Sequence, residues 1–281
     1  MSGYVLTAEK ITEFGEFLRK EECQRTTVEK YLRNVRFFAA WLDGRAVDKE
    51  LVTQWKACLQ ERQFAPSTVN SRLAALNRFF GFAGIEECRV KFLHIQRCAF
   101  REDSRDLARE EYKRLLEAAR HTGKERLGLV VETIGATGIR ISELAYITVE
   151  AARRGRTTVD LKGKMRAILL PGKLCSKLLA YARKSKIRSG EIFRTRSGKG
   201  LSRRQVWREM KQLGHRAGVE STKVFPHNLR HLFAIVFYKA YGDIVKLADI
   251  LGHSSIETTR IYLMTAGKEH VRQLNRLGLV M

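Results

Sequence analysis

Four short segments carry residue types that could handle a phosphate group. The first, T-G-I-R-I-S-E-L at residues 137–144, places Arg140 just after a glycine that interrupts a helical pattern. The free N–H groups at the start of the next helix attract anions, so Arg140 could take part in an anion site. An arginine in a first helical turn is, by itself, most often only solvated.

The second segment is P-H-N-L-R-H at residues 226–231. Proline suits the first turn of a helix, which puts His227 and Arg230 on one face. The pair His227 and His231 could suggest zinc, but the glutamate that follows the first histidine in zinc proteases is absent. An imidazole and a guanidinium side by side repel each other when both are charged, unless an anion lies between them.

The third segment is L-G-H-S-S-I-E-T-T-R-I-Y at residues 251–262. Its serine at 254 and the glutamate three residues later form a capping-box pattern. The pattern predicts a helix that begins at Ser255 and carries Tyr262 about two turns in. His253 falls in the turn before it. The simplest interpretation is a turn histidine and a core aromatic.

The fourth segment is K-G-K-M-R at residues 162–166, between the β-prone runs 157–161 and 167–170. This arrangement predicts a β-hairpin with the five residues as its turn. A lysine at such a tip usually serves solubility, although it could equally reach into a groove.

The elements around these segments are mostly helical. Apolar residues at helical spacing predict four helices, over 7–22, from Thr26, from Asp48, and from Pro66 to Gly84. Their aromatic stripes are core positions. Residues 96–106 are polar and favour a linker. Helices resume at 109–120 and 125–134 and dominate again from Leu174, so the fold class is mainly α with a small β-hairpin, an α+β chain.

Charge indicates a polyanionic partner. The 281 residues carry a formal net charge of +23, and residues 151–216 hold 20 basic against three acidic side chains. Such an excess on a globular composition favours nucleic acid, because each neutralised phosphate releases counterions. No apolar run is long enough to span a membrane, and no secretory signal is recognisable. Five cysteines without a C-x-x-C pair argue against disulfides and zinc and favour a reducing cytoplasm.

Taken together, the chain resembles the tyrosine recombinases, also called phage integrases. In that family an arginine follows a T-G-x-R-x-S-E-L turn, a lysine lies on a β-hairpin, H-x-L-R-H opens a helix, and L-G-H precedes a tyrosine by nine positions. All four occur here in that order, including the nine-residue step from His253 to Tyr262.

The resemblance implies a four-helix, SAM-like, core-DNA-binding domain over 1–95, a linker over 96–106, and a catalytic domain over 107–281 that ends in a tail helix. It implies an active site without metal or cofactor, with Glu143 as a supporting partner. The implied catalytic residues are Arg140, Lys162, His227, Arg230, His253 and Tyr262. The hairpin sequence is one residue shorter than the family's, so Lys164 is the alternative to Lys162.

These residue types suit phosphoryl transfer. Two arginines can neutralise the non-bridging oxygens, a tyrosine can form a phosphodiester link, and a lysine can protonate the leaving oxygen. The two histidines, titrating near neutrality, would serve the nucleophile's proton and the phosphate. The sparse carboxylates around these segments disfavour a two-metal nuclease.

The implied function is a site-specific DNA recombinase that cuts and rejoins strands through a 3′-phosphotyrosine intermediate, in integration, excision or dimer resolution. Its expected partners are double-stranded DNA and other copies of itself, as a tetramer on DNA, in the cytoplasm and at the nucleoid. The C-terminal tail either docks on a neighbouring copy, as the resemblance implies, or packs on its own domain. Two alternatives stay open. One is a non-catalytic DNA-binding protein, which would not need the full set of catalytic residues. The other is a type IB topoisomerase, which would use the same nucleophile but act as a monomer.

Overall fold

The computed structural model describes residues 4–95, 106–161, 164–195 and 197–262, together with Asn275. The chain divides into two compact units, Met1–Arg97 and Cys98–Met281. Both are mainly helical, and the two β-strands that the structure describes pair in the second unit. The predicted class, mainly α with a small hairpin, is confirmed. Of the predicted linker, only Asp106 lies within the described residues.

The first unit is the predicted four-helix module. Its helices are α1 (Ala8–Lys20), α2 (Arg25–Leu42), α3 (Lys49–Glu61) and α4 (Pro66–Ala83), followed by a 3-10 turn at Glu86–Cys88. Their aromatic side chains meet in the core, where Phe14, Phe38 and Phe79 are fully buried and Trp55 is nearly so. These stripes are therefore core, as expected.

Local capping chemistry sets most of the helix starts in this unit. The Asp48 carboxylate accepts a hydrogen bond from the Leu51 N–H at 2.7 Å, and Pro66 is the first residue of α4. The predicted start at Thr26 is wrong, because α2 begins at Arg25 without a side-chain cap. Glu29, the expected capping partner, accepts a hydrogen bond from the Arg25 guanidinium at 2.8 Å instead.

The second unit is built around α6. Its elements in chain order are α5 (Arg109–His121), α6 (Glu125–Thr137), a 3-10 helix (Ile141–Tyr146), α7 (Val149–Arg154), β1 (Arg156–Leu161), β2 (Lys164–Leu169), α8 (Gly172–Lys184), α9 (Arg203–Arg216), α10 (Pro226–Tyr241), α11 (Ile244–Leu251) and α12 (Ile256–Arg260). The strongly apolar α6 packs against α5, α8, α9 and α10. Its burial on several sides explains why its sequence is apolar nearly all round.

The hairpin has a shorter connection than predicted. Strands β1 and β2 pair antiparallel with Leu161 opposite Lys164 and Val159 opposite Arg166. The predicted five-residue turn is wrong, because the ladder continues through Arg166 and leaves only 162–163 between the strands. Those two residues, including Lys162, lie outside the described residues.

The segment before Tyr262 also differs from its prediction. Helix α12 begins at Ile256, and its cap is Ser255, whose hydroxyl accepts from the Glu257 N–H at 3.2 Å. The predicted capping residue, Ser254, is therefore wrong by one position. Because α12 ends at Arg260, Tyr262 lies in the turn after it, with its N–H bonded to the Thr259 carbonyl at 3.0 Å. The predicted tail helix lies outside the described residues except for Asn275, which is helical.

Three further observations concern sites that the sequence disfavoured. Within the described ranges, no helix combines the length and apolarity needed to cross a bilayer. The same ranges hold no group of three or more histidine, cysteine, aspartate or glutamate side chains placed to bind a metal ion. Four cysteines, Cys23, Cys58, Cys88 and Cys175, are free thiols.

Candidate active site

Arg230 is the centre of the site. Pro226 begins α10, so Arg230 lies one turn into the helix, and its side chain is buried with 2% exposure. Its guanidinium donates to the Gly138 carbonyl at 2.7 Å and to the Leu251 carbonyl at 2.8 Å. These carbonyls lie at the C-terminal ends of α6 and α11, where helix carbonyls lack partners. Arg230 therefore joins three helices.

Gly138 allows this close approach. It adopts a left-handed conformation with φ of 63°, and a Cβ there would lie 2.4 Å from the Phe233 ring. A side chain at this position would therefore clash as well as strain the backbone. The glycine break that the sequence analysis identified before Arg140 is thus required by both backbone and packing.

His253 is held between Arg230 and Thr259. Its Nε2 lies 2.7 Å from an Arg230 nitrogen, and its Nδ1 lies 2.8 Å from the Thr259 hydroxyl. Because a guanidinium can only donate, Nε2 accepts and the proton is on Nδ1. Burial, reinforced by Arg230 and Arg140, lowers the pKa of His253 to about 4. The expectation that His253 titrates near neutrality is therefore wrong in this state of the protein.

Arg230 keeps its positive charge despite its surroundings. Burial is the main cause that lowers its pKa to about 10, and the positive charge of Arg140 acts in the same direction. The nearby Tyr262 phenol acts in the opposite direction and raises the pKa of Arg230. A pKa of about 10 leaves the guanidinium charged at neutral pH.

Three histidine rings contact the ring of Tyr262. Its ring stacks on His253 with centroids 5.7 Å apart and an angle of 11°, and it contacts His227 at 5.8 Å and His231 at 5.2 Å. Only 4% of the residue is exposed, and it packs with the apolar side chains of α10 and α11. Tyr262 is thus a core aromatic, as the simplest interpretation held, and its ring stacks on the histidine that accepts a hydrogen bond from Arg230.

Arg140 presents the second guanidinium to solvent. Its side chain is 41% exposed, and it bonds to Glu143 at 3.1 Å and to the Gly252 carbonyl at 3.3 Å. The Glu143 carboxylate also accepts from the Arg140 backbone N–H at 2.7 Å. Arg140 and Arg230 therefore bond to the neighbouring carbonyls of Gly252 and Leu251. Arg140 and His253 line an open cleft of about 1860 Å³.

Arg166 is a site residue that the sequence motifs do not single out. Its guanidinium pairs with Glu143 and donates to the Ile250 carbonyl at 2.7 Å. The available signal was the arginine that ends the family's hairpin motif, which L-K-G-K-M-R retains. Thr259 was also missed, because only the folded chain brings its hydroxyl to the His253 ring.

The structure therefore gathers most of the expected set into one site in the second unit. The residues it brings together are Arg140, Glu143, His227, Arg230, His253 and Tyr262. Lys162 lies outside the described residues, and the backbone of Lys164 lies on β2. Guanidinium groups beside a buried phenol can bind a phosphodiester and attack it.

Comparison with known domains agrees with this chemistry. The profile described as "Phage integrase family" matches residues 105–269, and the one described as "Phage integrase, N-terminal SAM-like domain" matches residues 11–87. The chain belongs to the phage integrase family. Its first unit is thus the SAM-like module that the resemblance implied.

Named members of the phage integrase family are similar over nearly the full length. The tyrosine recombinase XerA of Pyrococcus furiosus is 30% identical over 285 residues, which cover 98% of this chain and 96% of that protein. The XerH site-specific recombinase bound to its difH substrate has a similar fold, with a TM-score of 0.68, 19% identity, and coverage of 95% of this chain and 84% of that chain. A lambda integrase tetramer bound to a Holliday junction gives a TM-score of 0.71 at 18% identity, with 93% and 78% covered. This phage integrase family member is a tyrosine-type site-specific recombinase.

Proposed function

We propose that this site-specific DNA recombinase cuts and rejoins duplex DNA through a covalent 3′-phosphotyrosyl link to Tyr262. The observation that carries the proposal is the setting of the Tyr262 phenol. The phenol ring is stacked on His253, which accepts a hydrogen bond from Arg230, and the guanidinium of Arg140 bonds to the carbonyl next to the one that Arg230 holds. A tyrosine with only a packing role needs neither of these two guanidinium groups nearby.

The cleavage step forms one bond and breaks one. The Tyr262 oxygen attacks phosphorus and displaces the 5′ oxygen of the next nucleotide, so one phosphodiester replaces another and no ATP is required. Lys162, or Lys164 as the alternative, gives the 5′ oxygen its proton. His227 flanks the phenol and takes its proton. His253 stacks on the phenol ring and, through its bond to Arg230, keeps the ring beside that guanidinium. Attack of a 5′ hydroxyl on the phosphotyrosine reverses these steps and joins the strands.

Arg140 and Arg230 stabilise the transition state. As phosphorus becomes five-coordinate, negative charge grows on its non-bridging oxygens, and fixed guanidiniums neutralise it without reorganisation. Arg230 is held rigidly by two carbonyls, whereas Arg140 faces the cleft. Loss of one such donor in other enzymes costs about 100- to 1,000-fold in rate.

The DNA is held by both units in this proposal. Residues 1–95 form the core-DNA-binding domain, residues 96–106 the linker, and residues 107–281 the catalytic domain. The basic stretch 151–216, with 20 positive against three negative side chains, lies in the catalytic part and supplies phosphate contacts. We place the activity in the cytoplasm, on nucleoid DNA.

Strand exchange between two duplexes requires more than one active site. We propose a tetramer on DNA, as in the lambda integrase complex, with the tail of each copy docked on a neighbour. Two observations support this arrangement. Apolar residues recur at helical spacing in the tail, at Val271, Leu274 and Leu277. Exposed apolar side chains also lie near the end of α10, with Tyr241 71% exposed and Val245 53% exposed.

A nicked duplex tests the covalent step. Its sequence is obtained by sequencing the DNA that co-purifies with the trapped protein, and the nick lets the short 5′ fragment diffuse away so that the adduct accumulates. The wild-type protein should form a covalent adduct that survives denaturation, and Tyr262→Phe should form none. The matched control is Tyr238→Phe, which removes a partly exposed hydroxyl that does not line the cleft and should leave the adduct yield unchanged. An adduct that persists in Tyr262→Phe disproves the proposal.

A further inference from the structure

We propose that Arg166 is a positioning residue for DNA cleavage, which fixes Arg140 and the turn of His253 by holding Glu143 and the end of α11. The inference rests on the proposed function, because it concerns the same site. Arg166 is not one of the residues that the sequence motifs mark as catalytic. It lies on strand β2, and its side chain contacts two other parts of the site.

The first contact is with the Glu143 carboxylate. One oxygen of this carboxylate receives hydrogen bonds from the Arg166 guanidinium and from the Arg140 backbone N–H. The other oxygen bonds to the Arg140 guanidinium at 3.1 Å. Glu143 is 1% exposed, so its charge needs a close partner. Arg166, 11% exposed, is the enclosed partner, whereas the Arg140 side chain is 41% exposed.

The second contact is with the end of α11. Arg166 donates to the Ile250 carbonyl at 2.7 Å. Its side chain also packs so tightly against Gly252 that a Cβ there would lie 2.3 Å from Arg166 Cδ. Gly252 precedes His253, and its carbonyl bonds to Arg140 at 3.3 Å. The Arg166 side chain therefore sets the position of the turn that carries both groups.

Arg166 acts through these neighbours. Both of its terminal nitrogens already hold protein partners. Its Nε is buried and has no hydrogen-bond partner among the described residues. The positive charge of Arg166 also lowers the pKa of His253, which agrees with its closeness to the reacting groups.

A competing route would run through the hairpin. Arg166 lies on the same strand as Lys164 and two residues away from it, so its loss could act by displacing the lysine that protonates the leaving oxygen. The two routes predict different behaviour with a sulfur leaving group. A thiol has a pKa near 8.5 and leaves without a proton, so a 5′-bridging sulfur in the DNA removes the need for a general acid.

The first experiment measures single-turnover cleavage of the nicked duplex and DNA affinity in parallel. Arg166→Met should cleave at least about tenfold more slowly while binding DNA nearly as wild type, because the reacting groups lose their geometry. Arg166→Lys should recover part of the rate by keeping a charge beside Glu143. The matched control, Arg114→Met, removes an exposed arginine of α5 that lies outside both the site and the basic stretch 151–216, and it should cleave normally. Wild-type cleavage by Arg166→Met overturns the inference.

The second experiment repeats the rates on the 5′-sulfur duplex. The lysine variant that loses cleavage, Lys162→Ala or Lys164→Ala, should recover, and Arg166→Met should stay slow. Recovery of Arg166→Met to the wild-type rate overturns the inference, because it assigns the defect to the lysine. If Arg166→Met does not fold, Arg166→Lys on the two duplexes makes the same comparison. Failure of the proposed function would be separate, since wild type would then form no adduct at Tyr262.

Discussion

The two arginines of the phosphate clamp should differ sharply in what they contribute to folding. Arg230 is 2% exposed and donates to the carbonyls of Gly138 and Leu251 and to His253. Arg230→Ala leaves these three acceptors buried without that donor. Each unsatisfied buried group costs about 1–3 kcal/mol, and water entering the space recovers part of it. We expect the free energy of unfolding to fall by about 2–5 kcal/mol, a large share of the ~5–15 kcal/mol typical of a domain.

Arg140→Ala is the matched comparison. The Arg140 side chain is 41% exposed, and without it Glu143 keeps Arg166 and the backbone N–H at position 140. A half-exposed ion pair contributes at most about 1 kcal/mol, so the loss should be no larger. Both variants should cleave at least about 100-fold more slowly. Urea unfolding at fixed pH gives the two stability changes, and the nicked-duplex assay gives the rates. Equal destabilisation of the two variants refutes the structural role assigned to Arg230.

Two further predictions follow from the turn at His253. Burial and the arginines lower the pKa of His253 to about 4, so the unfolded chain, with a histidine pKa near 6.5, binds more protons between these values. The free energy of unfolding should therefore fall as the pH falls from about 6.5 to about 4, less steeply in His253→Gln; equal slopes contradict this. Gly252→Ala should lose more stability and more cleavage than Gly242→Ala, since both glycines have positive φ but only at position 252 does a Cβ meet another side chain. Matching losses in urea and cleavage assays rule out the tight contact with Arg166.

Local sequence signals predicted much of the helical fold. Asp48 and Pro66 mark helix starts through their own chemistry, and Gly138 and Gly252 mark helix ends because they adopt left-handed backbone conformations. Where two local partners compete, the signal fails. Glu29 bonds to Arg25, and α2 therefore begins without the expected cap.

The sequence predicted which residues form the candidate site, but not which hydrogen bonds join them. Order and spacing brought Arg140, Arg230 and Tyr262 to notice, yet their bonds join residues far apart in the chain. Arg230 reaches Gly138 across 92 positions, and Arg166 reaches the Ile250 carbonyl across 84. No periodicity encodes such contacts, because they arise only when α6, α10 and α11 pack together.

The contrast between Arg230 and His227 bears on how such an enzyme can decay. Arg230 bonds to the ends of two other helices, so a relative that lost it would lose stability as well as activity. His227 is exposed and contacts the Tyr262 ring, so its substitution disturbs less buried structure than loss of Arg230 does. In relatives that have lost cleavage but still bind DNA, we therefore expect His227 to be substituted before Arg230.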